Sequence, residues 1–81
     1  MVMYEVIIEQ NSEITGSSVK TGTTGSLVGV MAYLNQKPLM VSRYVVNRVT
    51  LVGVEKHAKT LVFQLTYDDT LLGHAYVKKL K

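Results

Sequence analysis

The alternating run at residues 61–67 constrains the fold more than any other stretch of the sequence. Leu61, Phe63 and Leu65 alternate with smaller or polar side chains, which is typical of a pleated β-strand. Asp68-Asp69 follows as a short polar break before a second apolar run, so a hairpin with a two-residue turn is predicted.

This predicted hairpin sets Tyr67 opposite Thr70 and Phe63 opposite His74. Each face of the pair then carries every second side chain of both strands. On the first face we expect Leu61, Phe63, Leu65, Leu72, His74 and Tyr76, and on the second face Val62, Leu71, Gly73, Ala75 and Val77. His74 is interpreted as a partly buried packing residue.

The first half of the chain predicts a strand and a helix. Residues 2–9 alternate weakly and are rich in β-branched side chains, which indicates a strand. Ser26 stands at an N-cap position before apolar residues at helical spacing, namely Leu27, Val30, Met31 and Leu34. Lys37-Pro38 is expected to end this helix, because the residue before proline avoids the α region.

The segment at residues 39–54 is rich in β-branched residues, which indicates strand. It is too long for one straight strand in so small a domain, so a bend or turn is expected at Asn47-Arg48 or at Gly53. The prediction is an α+β fold of order β-α-β-β-β, with one helix packed on one face of an antiparallel sheet.

This order of elements resembles that of cystatin-like folds. The resemblance concerns topology only, because the Gln-Val-Val-Ala-Gly type of inhibitory hairpin is not in the sequence, and it implies no more than that such folds often act by binding.

Residues 10–26 are dominated by glycine, serine and threonine, and they allow two interpretations. Residues 18–24 could pair as a threonine-rich edge strand, or the segment could be a mobile functional loop, which the composition slightly favours. A glycine-rich loop before a helix N-terminus offers free backbone N–H groups to an anion, although a solvated loop without a ligand is favoured over such a site. The candidate anion-binding residues are Lys20, Thr21, Gly22, Thr23, Thr24, Gly25 and Ser26.

The 81 residues are enough for a single domain, 1–81, with a modest core. The sequence has no cysteine and two distant histidines, so we expect neither a disulfide nor a structural metal site.

A single helix covers one face of a sheet that is apolar on both faces, which predicts a homo-oligomer, most simply a two-fold dimer. The predicted self-association face is Leu61, Phe63, Leu65, Leu72 and Tyr76. Alternatively, the loop folds back over this face through Ile14 and Val19 and leaves a monomer.

Charge is predicted to be polarised along the last hairpin. The formal net charge is +3, and the hairpin brings the C-terminal lysines beside the turn at residues 55–59, away from both aspartates. The resulting basic pole consists of Lys56, His57, Lys59, Lys78, Lys79 and Lys81. Such a pole fits phosphate groups of a nucleic acid without sequence specificity, and a lysine-rich end that only aids solubility explains it equally well.

The sequence favours binding over catalysis. No local motif groups His57 or His74 with a nucleophile, and we expect no enzyme activity, no cofactor and no metal. The longest uncharged run, residues 21–36, is too short and too polar to span a membrane, and a cytoplasmic location is expected.

Three functions are carried forward from these observations. The first is a small non-enzymatic protein that self-associates and engages a macromolecular partner, protein rather than nucleic acid, as an inhibitor, adaptor or accessory factor. The second is a nucleic-acid-binding protein that uses the basic pole. The third is a binder of a small anionic or nucleotide-like ligand at residues 20–26.

Overall fold

The computed structural model of the protein describes residues 2–55 and 59–80, with the backbone alone at Thr21. Within these residues the chain forms seven strands and two short helices. In chain order they are β1 (Tyr4–Gln10), α1 (Ser12–Thr15), β2 (Lys20–Gly25), α2 (Leu27–Leu34), β3 (Leu39–Val41), β4 (Tyr44–Val46), β5 (Arg48–Glu55), β6 (Thr60–Tyr67) and β7 (Thr70–Lys79).

Five of the strands form one antiparallel sheet in the order β2-β1-β7-β6-β5. The last three strands of the chain are the meander that the sequence predicts. β1 pairs with β7, so the first and last strands lie side by side at the centre. β2 and β5 are therefore the two edges of the sheet.

The turn of the last hairpin is confirmed, but the register beyond it is wrong by one residue. Tyr67 lies opposite Thr70, and both aspartates have positive φ, as a tight two-residue hairpin turn requires. The register then shifts, because Leu72 is an extra residue in β7. Phe63 consequently lies opposite Ala75, and His74 lies opposite Gln64.

This shift exchanges the partners that share a face. Leu61, Phe63 and Leu65 lie on the same face as Ala75 and Val77, whereas His74 and Tyr76 lie on the other face with Val62. The predicted self-association face is therefore not one surface. Three of its members, Phe63, Leu65 and Leu72, are buried in the core, and Leu61 packs against that core.

The segment before the helix is ordered as strand β2, so the preferred interpretation of residues 10–26 as a mobile loop is wrong. The alternative of an edge strand holds, with Thr23 opposite Val6 and Lys20 opposite Glu9. One helical turn, α1, reverses the chain between β1 and β2. Asn11 caps this turn by accepting a hydrogen bond from the Glu13 amide, and Gly16 ends it in the left-handed conformation.

Residues 39–54 divide into three strands. β3 and β4 form a separate two-stranded hairpin, with Leu39 opposite Val46. Asn47 separates this hairpin from β5, and β5 is irregular just before Gly53, where Val52 is an extra residue. Both predicted bend sites are therefore used, whereas the turn at Ser42-Arg43 was not expected.

Helix α2 begins at the predicted N-cap. The Ser26 hydroxyl oxygen accepts a hydrogen bond from the Gly29 amide at 3.2 Å, and the helix ends at Leu34. Val30 and Leu34 are fully buried against the sheet. The helix packs over β1 and β2, and the β3–β4 hairpin packs over β6, so both cover the same face of the sheet.

One hydrophobic cluster lies between the sheet and these two covering elements. It consists of Val6, Ile8, Val30, Leu34, Leu39, Val41, Phe63, Leu65, Leu72, Ala75 and Val77. We call this side of the sheet the covered face and the other side the open face. No helix in the described residues has the length and hydrophobicity to cross a membrane.

Candidate binding surface

Neither α2 nor the β3–β4 hairpin covers the open face of the sheet in the described residues. Alternation along β1 directs Val6 and Ile8 into the core and places Glu5, Ile7 and Glu9 on the open face. Since neighbouring strands are in register, side chains of the open face form rows that cross all five strands. Three such rows define the candidate site.

The first row is polar from one edge to the other. Glu9 lies at its centre, opposite both Lys20 and His74, and its carboxylate forms an ion pair with Lys20 Nζ at 3.2 Å. The row continues from His74 to Gln64 and then to Thr50. This row offers both hydrogen-bond donors and hydrogen-bond acceptors to a molecule that binds on the open face.

The second row is apolar and has a glycine at each end. Ile7, Tyr76 and Val62 fill its middle and are half-buried by their neighbours alone. Gly22 on β2 and Gly53 on β5 leave the two ends flat. Because the Tyr76 ring lies beside the His74 ring, with centroids 6.3 Å apart, a broad flat patch joins the first two rows.

The third row lies near the end of the sheet that includes the predicted basic pole. Lys78 lies opposite Glu5 in this row, which continues to Thr24 on one side. Glu55 lies opposite Thr60 at the other side. Acidic and basic side chains therefore alternate in this row as well.

Charges on the open face are balanced in sign. Three cations, Lys20, Arg48 and Lys78, accompany three carboxylates on the same face. The carboxylates are those of Glu5, Glu9 and Glu55. A surface of this kind has no uniform field to attract a polyanion, and it can complement a mixed polar surface.

A hollow of about 370 Å³ lies at the rim of the open face, where α1 meets β7. Glu9 and His74 contribute to its wall from the sheet, and Glu13 contributes from α1. Asn11 fixes this rim, because its amide nitrogen Nδ2 donates to the Leu71 carbonyl at 3.0 Å. The rim extends the polar first row beyond the flat sheet.

The structure describes half of the predicted basic pole. Lys59, Lys78 and Lys79 are exposed and lie at one end of β6 and β7, and the two aspartates of the turn lie at the other end, as predicted. Lys56, His57 and Lys81 lie outside the described residues. Glu5 lies directly opposite Lys78, so the described part of this end is not purely basic.

The predicted anion site is not brought together by the fold. Lys20, Gly22, Thr24 and their neighbours up to Gly25 form strand β2, whose backbone groups alternate in direction and do not converge on one point. Lys20 and Ser26 stand at opposite ends of this strand, about 20 Å apart at roughly 3.3 Å per residue. Ser26 Oγ is used as the cap of α2, and Lys20 is paired with Glu9.

His74 is partly buried beside Tyr76, as predicted, but its expected position opposite Phe63 is wrong. It lies half-exposed on the open face between Glu9 and Gln64, and does not pack against Phe63. In the described part of the chain, histidine and acidic side chains form no group of three that could hold a metal ion.

The row of Ile7, Tyr76 and Val62 was not predicted as a site. Its sequence signal is the Glu5-Val-Ile-Ile-Glu9 pattern of β1, which puts one isoleucine on each side of the strand. Comparison of the chain with family models, with curated proteins and with solved structures finds no match.

Proposed function

We propose that this chain is a small non-enzymatic binding protein that self-associates and engages a protein partner across the open face. The observation that carries the proposal is an uncovered five-stranded sheet face with a flat apolar row between two rows of mixed charge. Protein interfaces combine an apolar centre and a polar rim in this way. An inhibitor, adaptor or accessory factor would use such a surface.

A protein partner is favoured over nucleic acid by the balance of charge. Phosphate-directed binding needs a surface of one sign, whereas Lys20 and Lys78 each lie opposite a glutamate on this face. The central row has a single large aromatic side chain, Tyr76, where single-strand binders present several stacking rings.

Affinity capture with matched variants tests the proposal. Tyr76→Thr removes the largest apolar side chain of the central row while keeping a residue suited to a strand. Val28→Thr is the control, because Val28 is 80% exposed on α2, on the covered side of the sheet. A protein captured from the source cell by the wild type should be lost with Tyr76→Thr, by at least a ten-fold drop in affinity (about 1.4 kcal/mol), and retained with Val28→Thr.

Two outcomes would contradict the proposal. One is capture that is unchanged by Tyr76→Thr while circular dichroism shows the variant folded. The other is wild-type binding to duplex DNA with a steep salt dependence whose log–log slope falls by about 0.9 in Lys78→Gln, because this would assign the site to phosphate groups.

A further inference from the structure

Strand β5 is an exposed edge with an apolar surface. In the described part of the sheet it pairs only with β6. Leu51, Val52 and Val54 are 53%, 48% and 55% exposed, although they lie within a regular secondary-structure element. The side of the strand away from β6 presents backbone N–H and C=O groups that can accept another strand.

Edges of this kind are usually protected by lysine, proline or a very short strand. β5 has eight residues and carries charge only at its two ends, on Arg48 and Glu55. Its one irregularity, at Val52, adds a further apolar side chain to the edge. The strand therefore has the length and the surface of one that is paired.

The sequence of β5 is complementary to itself when it runs antiparallel to a second copy. Arg48 then meets Glu55 of the partner subunit, and Val49 meets Val54 of the partner subunit. Thr50 likewise meets Gly53 of the partner subunit, and Leu51 meets Val52 of the partner subunit. The opposite charges at both ends, together with the apolar pairs Val49–Val54 and Leu51–Val52, are combinations that stabilise antiparallel neighbours.

The extra residue Val52 forms a β-bulge in β5, and this bulge puts the residues that would pair on the same face of the sheet. Arg48 and Glu55 are an odd number of positions apart, which would put them on opposite faces of a regular strand. Because Val52 is an extra residue, both charges lie on the open face, opposite Thr66 and Thr60 respectively. Val49 and Val54 correspondingly lie on the covered face, opposite Leu65 and Leu61.

The two charges are also available for such a pairing. Lys20–Glu9 is the ion pair found among the described residues, and neither Arg48 nor Glu55 has an ionic partner there. In the proposed register two-fold symmetry supplies each of them with a partner, twice per dimer.

We propose that two copies of this chain pair antiparallel through β5, about a two-fold axis between Leu51 and Val52. The two five-stranded sheets become one continuous sheet, and the two open faces become one surface. The inference specifies the self-association part of the proposed function. Its test requires no other partner, so the two can fail separately.

Sedimentation equilibrium over the micromolar range tests the pairing. The wild type should have twice the chain mass of 9.0 kDa. Val52→Lys puts two like charges beside the axis and should return the mass to that of one chain. Thr24→Lys places the same side chain on the opposite edge, β2, and should leave the dimer intact. Circular dichroism confirms that both variants are folded.

Charge reversal tests the register. Arg48→Glu should raise the dissociation constant about ten-fold, because two attractive pairs of each dimer become repulsive. Adding Glu55→Arg to the same chain restores opposite charges and should restore the affinity. A wild type that stays at the mass of one chain, or a dimer that survives Val52→Lys, overturns the proposal, and a double variant weaker than Arg48→Glu overturns the register.

Discussion

Strands β2 and β5 occupy equivalent positions at the two edges of one sheet, but they expose different chemistry. β2 is threonine and glycine with Lys20 at its start, and that lysine is tied to Glu9 of the neighbouring strand. β5 exposes Leu51, Val52 and Val54. The first edge has the polar, charged character that prevents pairing with other chains, and the second lacks it.

The two edges also differ in how well they are covered on the core side of the sheet. Helix α2 packs over β1 and β2, so the threonine-rich edge is supported from the core side. The β3–β4 hairpin contacts β6 and leaves Leu51 and Val54 of β5 more than half exposed. One covering helix and one short covering hairpin can bury part of a five-stranded sheet, and the uncovered part lies where another chain can cover it.

Paired leucine substitutions should give the largest contrast between an interior strand, β6, and the edge strand β5. Leu65→Ala on β6 removes a fully buried side chain and should cost about 2–5 kcal/mol in the free energy of unfolding. Leu51→Ala should cost less than about 1 kcal/mol in dilute solution, because this side chain is half exposed in a single chain.

Urea unfolding at several protein concentrations measures both costs. The cost of Leu51→Ala should grow with concentration as β5 becomes paired, whereas that of Leu65→Ala should not. A cost of several kcal/mol for Leu51→Ala in dilute protein would show that β5 is covered within one chain, and the contrast between the edges would fail.

Two glycines in the same row of the open face should respond differently to alanine. A Cβ at Gly22 of β2 would lie 2.7 Å from the Val6 carbonyl oxygen, so Gly22→Ala should destabilise by about 1–3 kcal/mol. A Cβ at Gly53 of β5 meets nothing within 4 Å in the described residues. Gly53→Ala should therefore stabilise the fold by about 0.4–1 kcal/mol, because alanine lowers the conformational entropy of the unfolded chain.

Thermal unfolding of the two alanine variants in dilute protein compares them directly. Equal destabilisation by both variants would mean that β5 is packed as tightly at Gly53 as β2 is at Gly22, and would contradict the difference between the two edges.

Two local signals in the sequence predicted their local structure correctly, whereas the turn at Ser42-Arg43 was missed. The Asp68-Asp69 turn and the Ser26 cap were both found, because each depends on the chemistry of a few adjacent residues. The register beyond the turn was missed since one extra residue in β7 shifts every later pair. Its sequence signal is the Leu71-Leu72 doublet, which interrupts the alternation.

Strand β2 and the candidate site depend on pairings that the sequence does not specify locally. Threonine favours a strand and glycine disfavours one, so residues 21–25 have a mixed preference and form a strand because β1 is available beside them. Tyr76 and His74 likewise lie on the open face because the extra residue Leu72 shifts the register of β7. Phe63, Leu65 and Leu72 are buried because α2 and the β3–β4 hairpin pack on their side of the sheet, so the predicted self-association residues do not form one exposed face.

Site-specific disulfide formation is the most direct test of β5 as the pairing edge, since the natural chain has no cysteine. Thr50→Cys and Gly53→Cys chains are mixed and oxidised gently. The proposed register puts residue 50 of one chain opposite residue 53 of the other, on the open face, so the mixed dimer should cross-link far more than either variant with itself. Equal cross-linking of all three combinations, or none at concentrations where the wild type is dimeric, would contradict the account.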